Sequence, residues 1–503
     1  MAKPNANYTA VESVPEIVSR LRKTFDSGKT KDVQWRKNQL KSLAFMVRDN
    51  ERELCDSVAS VEKWAKPQKV TAPLPHWIMR PKIYQEPKGV ALIIGAWNYP
   101  LQLTLQPLGG AISAGCTAVV KVSELNPNVG KVLAKLVPRY LDPSAYTVVL
   151  GEVELATKLL EEPWGQIFYT GNSKVARSIA VAAAKTLSPL CLELGGKSPV
   201  IIDSEFSDLD VAAKRILWGK RFNGGQTCIA PDFIVVQKEK QNALVAALER
   251  QHRLVFPTGD LEQDEFSRII SPGHFARLHD LMAKTNGKVA VGAEKDGGDE
   301  AKRRMPLSIV RDVTWEDELM KGEIFGPILP IVPVTSTQDA LDQMKGSTPL
   351  ALYVFSNRKD FTDRIRENTL SGAMIVNDTV MHHSIATLPF GGVGESGQGN
   401  YHGKKSFDAF THERSYATNP IWADFIWSLR YYPHTDAKMG MLRGTYKKIT
   451  FARPGETPAL FAVGGLGKRV LALALYSVAA ILLASRWNWI MAQLPRYRLV
   501  RVQ

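Results

Sequence analysis

From residue 89 onward, short apolar runs alternate with longer stretches of mixed polarity. The runs are GVALIIGAWNYP, TAVVKVSE, YTVVLG, QIFYTG and SPVIID. Each ends in Gly or a polar residue, and helix-compatible segments separate most of them. Continuous apolar runs of this kind are what strands of a parallel sheet look like when helices cover both faces. The pattern predicts a doubly wound α/β region, whose ligands bind beyond the carboxyl ends of the strands. A second α/β region is expected from about 200 to 395. The first 70 residues read differently. VESVPEIVSRLRKTF and WRKNQLKSLAFMVRDNERELCDSVASV repeat apolar residues at three and four, as amphipathic packing helices do. No internal repeat is present.

The last stretch departs from this pattern. Val470 to Ala484 reads VLALALYSVAAILLA, 15 residues without a charge. As a helix it is about 22 Å long, and extension through SRWNWIMA to Ala492 brings it to roughly 34 Å, enough for a bilayer core. The extension places Arg486 and Asn488 near an interface, where Trp487 and Trp489 are at home, and Lys468 and Arg469 flank the other end. A Pro/Gly-rich stretch, ARPGETPALFAVGGLGK, precedes it like a linker. The expectation is a membrane-attaching helix, spanning or shallow. The alternative is a docked core helix.

Composition narrows the class. The chain has 503 residues, too many for one core, with 45% hydrophobic and 23% charged residues, as in globular proteins. Lys and Arg exceed Asp and Glu by 14. That excess suits an anionic cofactor or lipid surface, and no nucleic-acid motif accompanies it. Four cysteines do not make a disulfide framework, and none has metal-ligand spacing, so a reducing compartment and no metal are expected. The N-terminus, MAKPNANYTA, carries no apolar signal core.

Candidate chemistry collects at the ends of the runs. In FNGGQTCIAPD, Cys228 follows turn-formers unsuited to a core. If Gly224-Gly225-Gln226-Thr227 leads into a helix, its N-terminus would lower the thiol pKa and make Cys228 a nucleophile. In CLELGGKSP, Glu193 stands between apolar residues, which raises a carboxyl pKa and suits a general base. In GAWNYP, Asn98 follows a strand and can hold an oxyanion. A nucleotide site is expected where Gly171 ends a strand and Ser173 caps the helix after it, offering free N–H groups to a phosphate. After TAVVK, Lys121 can bind a ribose hydroxyl or phosphate and Glu124 a ribose diol. Gly392-Val-Gly394-Glu-Ser-Gly397 matches GxGxxG, but no βαβ unit begins there.

GAWNYP, KVSE, TGNSKVA, LELGGKSP, FNGGQTC, EIFGP and LPFGG stand in the order found in the aldehyde dehydrogenase superfamily. IAPDF and the short N-terminal region resemble its class 3 branch, which includes fatty aldehyde dehydrogenases. The resemblance covers about residues 10 to 420. It implies an α/β fold with a Rossmann-like NAD domain, an α/β catalytic domain and a bridging element used in dimers. The resulting expectation for the chain is N-terminal helices with the NAD domain over 1–195 and the catalytic domain over 196–395. A bridging segment over 396–420, a basic aromatic linker over 421–469 and the hydrophobic helix over 470–492 complete it.

The resemblance makes Cys228 the nucleophile, Glu193 the base for deacylation, and Asn98 with the Cys228 N–H the oxyanion donors. Lys121 and Glu124 match positions at the adenosine ribose, Glu323 the carboxylate for the nicotinamide ribose, and Phe325 and Phe390 apolar contacts to the nicotinamide. Val122 stands where Pro is usual, and Ala176 where Gly is common. The implied reaction is thiolate addition to an aldehyde, hydride loss to NAD (or NADP), and hydrolysis of a thioester.

With the tail, a lipophilic long-chain aldehyde is the expected substrate, an apocarotenal or aromatic aldehyde the alternative. A CoA-acylating enzyme and a non-catalytic tethered scaffold are the remaining readings. The expected partners are the membrane and a second copy of the chain, with no nucleic acid. The expected location is the cytosolic face of the endoplasmic reticulum, or else the mitochondrial outer membrane.

Overall fold

A computed structural model describes residues 8–46, 59–72, 76–257, 266–292 and 297–445. The apolar runs form strands β3 (Val90–Ile94), β4 (Thr117–Lys121), β5 (Tyr146–Val149), β6 (Gln166–Thr170) and β8 (Pro199–Ile202). The pattern does not disclose one further strand of the first sheet, β7 (Leu190–Glu193), which ends at the Glu193 of CLELGGKSP. A short return strand, β15 (Gly397–Gln398), edges a six-stranded sheet of order β15-β7-β6-β3-β4-β5, which is otherwise parallel. A seven-stranded sheet orders β10 (Lys288–Val291), β11 (Ser308–Arg311), β12 (Ile328–Val334), β9 (Phe233–Gln237), β8, β13 (Ala351–Phe355) and β14 (Ala373–Val376). Only β10 runs antiparallel there. A small antiparallel sheet joins β1 (Gln68–Lys69), β2 (Lys82–Pro87) and β16 (Thr411–Tyr416).

Alternation along each buried strand splits its side chains between two cores. Val90, Leu92 and Ile94 of β3 face the same core as Val14, Val18 and Leu21 of the Val14–Asp26 helix. Those helix residues recur at four and three, which explains the amphipathic pattern, and each fully buried Val or Leu contributes roughly 1.5–3 kcal/mol. Ala91 and Ile93 face the opposite core, which continues through Val200, Ile202 and Ile234 of the second sheet. The two sheets therefore share one apolar interior.

Two compact units divide the chain, Met1–Thr418 and Asn419–Gln503. Within the second, the described residues form a 3-10 segment, Ile421–Arg430, and a helix, Asp436–Thr445. Ile421, Trp422, Phe425 and Tyr432 are 93%, 69%, 68% and 86% exposed. The expected helix over 470–492 lies outside the described residues. Among the described residues no helix is long and apolar enough to cross a membrane.

Candidate active site

The first sheet ends at Glu193 and the second begins at Pro199, so Leu194–Ser198 crosses from one to the other. The crossing sets the carboxyl end of the first sheet beside the amino end of the second. The candidates Lys121 and Glu193 end strands of the first sheet, and Asn98 and Gly171 follow two others. In the second sheet the nucleophile candidate precedes its strand, β9.

Cys228 lies in a turn between the 3-10 segment Phe222–Gly225 and β9. Asn223, Gly224 and Gly225 have φ of 53°, 63° and 72°, a left-handed run that glycine and asparagine tolerate. A Cβ at Gly225 would lie 2.3 Å from the Gly326 carbonyl oxygen, so the EIFGP loop packs directly on this turn. The expected helix at Cys228 is absent, and with it the expected fall in thiol pKa. Burial, then the Glu323 and Glu193 carboxylates, push the thiol up to about 12. The backbone N–H groups of Cys228 and Ile229 oppose this by favouring the thiolate.

Glu193 is buried at the end of β7, held between Thr170 of β6 and Gly397 of β15. Its Oε1 lies 3.9 Å from Cys191 Sγ, and its Oε2 has no hydrogen-bond partner. Burial raises its pKa well above the carboxylate range, as its apolar neighbours predict. The GxGxxG match turns out to support this base. A Cβ at Gly397 would lie 2.1 Å from the Leu192 carbonyl oxygen, so the segment packs on the strand that carries Glu193.

Asn98 is joined to the cysteine turn. Its Nδ2 donates to the Gln226 carbonyl at 3.1 Å, and Asn223 Nδ2 donates to the Asn98 carbonyl at 3.0 Å. An amide nitrogen has two hydrogens, so one remains for an oxyanion.

Glu323 reaches the crossing segment. A Cβ at Gly195 would lie 2.2 Å from its Oε2, and the Gly196 N–H donates to it. Burial, then the nearby Asp232, raise its pKa to about 8. A latch holds this loop in place. Lys197 Nζ pairs with Asp232 and donates to the carbonyls of Leu319 and Gly322 at 2.8 and 3.0 Å. Asp232 Oδ1 accepts from the Ile324 N–H at 3.0 Å. Lys220 is buried beside this group, its Nζ without a partner, and burial draws its pKa down to about 8. Phe325 has φ of 50° and meets Trp97 edge-on at 5.3 Å.

At the carboxyl ends of β4 and β6 the charges are paired or solvated. Lys121 is buried, with Nζ 3.1 Å from Glu124 Oε2. Gly171 follows β6, and its N–H donates to the Glu193 carbonyl at 3.0 Å. The Ser173–Thr186 helix starts as expected, but Asn172 is its cap: Asn172 Oδ1 accepts from the Val175 N–H, and Ser173 is the first helical residue. Val122 and Ala176, at the two departures from the family pattern, are both buried.

Cys228, Glu193 and Phe390 line one cavity of about 320 Å³, whose wall includes Leu103, Leu194, Ile229, Leu350 and Val380. Trp218, Phe222 and Met381 line it while remaining partly exposed. Asn98, Glu323 and Phe325 adjoin it through the loops described, whereas Lys121, Glu124, Gly171 and Ser173 do not line it. Several residues here escape a reading of the sequence. Tyr99 bonds Thr227 through its hydroxyl at 2.6 Å, and Lys197 and Asp232 form the latch. Both latch residues lie inside quoted motifs, LELGGKSP and IAPDF, but a charge beside a motif does not disclose its partner.

Residues 41–416 match the aldehyde dehydrogenase family. The chain belongs to that family. It is 40% identical over 450 residues to aldehyde dehydrogenase family 3 member A2 of Rattus norvegicus, covering 84% of this chain and 92% of that protein. Identity is 39% over 457 residues to the dimeric NADP-preferring aldehyde dehydrogenase of Canis lupus familiaris, covering 85% and 99%. A substrate-bound AldH structure from Staphylococcus aureus superposes with a TM-score of 0.82 at 34% identity, covering 86% and 99%.

This aldehyde dehydrogenase is NAD(P)-dependent, and its own residues fit such a cofactor. Thr170 Oγ1, at the end of β6, is buried without a partner. A Cβ at Gly171 would lie 2.2 Å from the Tyr169 hydroxyl, so a larger residue there would displace that side chain. Glu323 against Gly195 supplies a carboxylate, and Lys121 with Glu124 a second polar pair. These residues would hold the dinucleotide, which when bound supplies the hydride acceptor. Among the described residues no group of three or more His, Cys, Asp or Glu side chains is arranged to hold a metal.

Proposed function

We propose that this aldehyde dehydrogenase oxidises long-chain fatty aldehydes to carboxylic acids. The observation that carries the reading is the largely apolar cavity with Cys228 and Glu193 on its wall. Cys228 adds to the aldehyde carbon, and the oxyanion is met by the free Asn98 N–H and the Cys228 backbone N–H. After hydride leaves, the acyl group remains as a thioester on Cys228. Glu193, with one carboxyl oxygen unpartnered, takes a proton from the water that releases the acid. A deacylating base of this kind makes CoA unnecessary. A direct test follows NADH absorbance with hexadecanal and NAD, without CoA, for the wild type and Cys228→Ala. Turnover is expected only in the wild type. Turnover that survives the substitution would remove Cys228 from the mechanism, and turnover on an apocarotenal but not hexadecanal would change the substrate.

The domain assignment is part of the same reading: NAD binding over 1–195, catalysis over 196–395, and bridging over 396–420. The dog relative's name includes "dimeric", which supports a homodimer. Attachment to the cytosolic face of the endoplasmic reticulum, or else the mitochondrial outer membrane, is supported by the apolar run Val470–Ala484 with its Trp and basic flanks. The exposed aromatics Trp422 and Phe425 and the basic residues Arg443, Lys447, Lys448 and Arg453 suit an anionic lipid surface. Deletion of 460–503 is expected to move the protein from the membrane pellet to the soluble fraction. A truncated protein that still pellets would refute the anchor.

A further inference from the structure

Few polar side chains line the cavity; Thr170, unpartnered at the end of β6, is one of the residues that fit the cofactor, and most of the others are engaged. Tyr99 and Thr227 bond each other, Ser384 donates to the Met381 carbonyl at 2.8 Å, and Glu193 is the base. Gln102 and His383 stand apart from these. Gln102 opens the Gln102–Ala114 helix, and His383 lies in the 3-10 turn Met381–Ser384. They are 281 positions apart, yet Gln102 Nε2 lies 2.6 Å from His383 Nε2.

An amide nitrogen only donates, so the ring nitrogen accepts and the neutral imidazole carries its proton on Nδ1. That Nδ1 is buried without a partner. Burial lowers the pKa of His383, which keeps the ring neutral. Its other neighbours include the rings of Phe390 at 5.8 Å and His402 at 5.2 Å. The second contact of the Gln102 amide nitrogen, to Gln106 Oε1, is long at 3.4 Å. Both contacts use the nitrogen and leave the amide oxygen to accept from a hydroxyl. A wall meant only for hydrocarbon gains nothing from two half-buried polar groups, because a desolvated polar group is costly until it is paired.

We propose that Gln102 and His383 form a polar station for the substrate tail, so that the preferred substrates are long-chain aldehydes bearing an oxygen, such as a hydroxyl, away from the aldehyde carbon. The inference rests on reading the Cys228–Glu193 cavity as the aldehyde site, and it names the substrate class of that site.

The test compares hexadecanal with hydroxyhexadecanals whose hydroxyl is moved along the tail, using the full chain and NAD. For at least one position, the wild type is expected to favour the hydroxyaldehyde about tenfold in kcat/KM, the size of one well-made hydrogen bond. The double variant Gln102→Leu/His383→Phe should bring that ratio to about one and raise turnover of hexadecanal several-fold, since that part of the wall becomes apolar. His383→Asn, which keeps a hydrogen-bonding group, should retain part of the preference. It carries the test if the double variant does not fold, as judged by NAD binding. A wild type that prefers hexadecanal over every hydroxyaldehyde, or a ratio unmoved by the substitutions, would overturn the proposal while leaving the aldehyde site intact. A wild type that oxidises neither class would overturn both.

Discussion

The carboxyl ends of β4 and β6 and the amino end of the second sheet treat charge in opposite ways. In the first, Lys121 is matched to Glu124, whose carboxylate reaches solvent, and Asn172 caps its helix. In the second, desolvation strongly displaces the pKa values of Glu323, Lys220 and the Cys228 thiol, and that of Glu193, the last residue of β7, is displaced beside them. A site proposed only to bind a dinucleotide works with paired charges. A site that must make a nucleophile and a base keeps desolvated ones, and the fold must hold them in place. The Lys197–Asp232 latch does this by tying the crossing segment to the loop that carries Glu323.

Three experiments bear on this contrast. The largest effect is expected from Glu193→Gln. Loss of a general base lowers turnover by about 10²–10⁴-fold. Because the lost step is deacylation, a burst of NADH should survive while the steady state collapses. Loss of the burst as well would place Glu193 in the first step.

Next is the latch. Asp232 is buried, and removing one partner of a buried ion pair typically costs about 3–5 kcal/mol. Asp232→Asn is expected toward the low end, because the amide oxygen still accepts from the Ile324 N–H. Denaturant unfolding reads it, and an unchanged midpoint would show that the latch does not hold the loop.

The smallest effect tests the electrostatics. Negative charge near a thiol favours the protonated form, so the Cys228 pKa should fall when Glu323 becomes Gln. Alkylation by iodoacetamide requires the thiolate and therefore rises with pH. In Glu323→Gln the same rate should be reached at lower pH. At a fixed pH above about 8, where Glu323 is ionised, and below the thiol pKa, alkylation gains about tenfold whenever that pKa falls by one. A profile displaced to higher pH would mean that Glu323 acts on the thiol through geometry rather than charge.

Much of the fold is legible because buried parallel strands leave a local trace. Five consecutive apolar residues at Val90–Ile94 can hardly be anything else, and Val14, Val18 and Leu21 fall on one helical face. β7 is hidden because its Leu-Cys-Leu run gives way at once to Glu193 and the glycines after it, so the segment reads as a turn. Cys228 and Glu193 are legible from their unusual flanks. The flanks of Cys228 mislead about its environment, because a Gly-Gly turn looks the same whether a helix or a strand follows. The cap of the Ser173–Thr186 helix is ambiguous for a similar reason: Asn172 and Ser173 are both good caps, and only backbone geometry chooses between them.

By itself, the sequence determined what is local: the strands and amphipathic helices, the glycines where the chain must turn, and the residue types able to do acyl chemistry. The tertiary structure decided which of these meet. It set Glu193 and Cys228 on one cavity, placed Glu323 against Gly195, closed the Lys197–Asp232 latch, and brought Gln102 to His383. The reason is that propensity and periodicity act over a few residues. Contacts across tens to hundreds of positions depend on sheet order and crossing, which only the buried packing of the whole chain fixes.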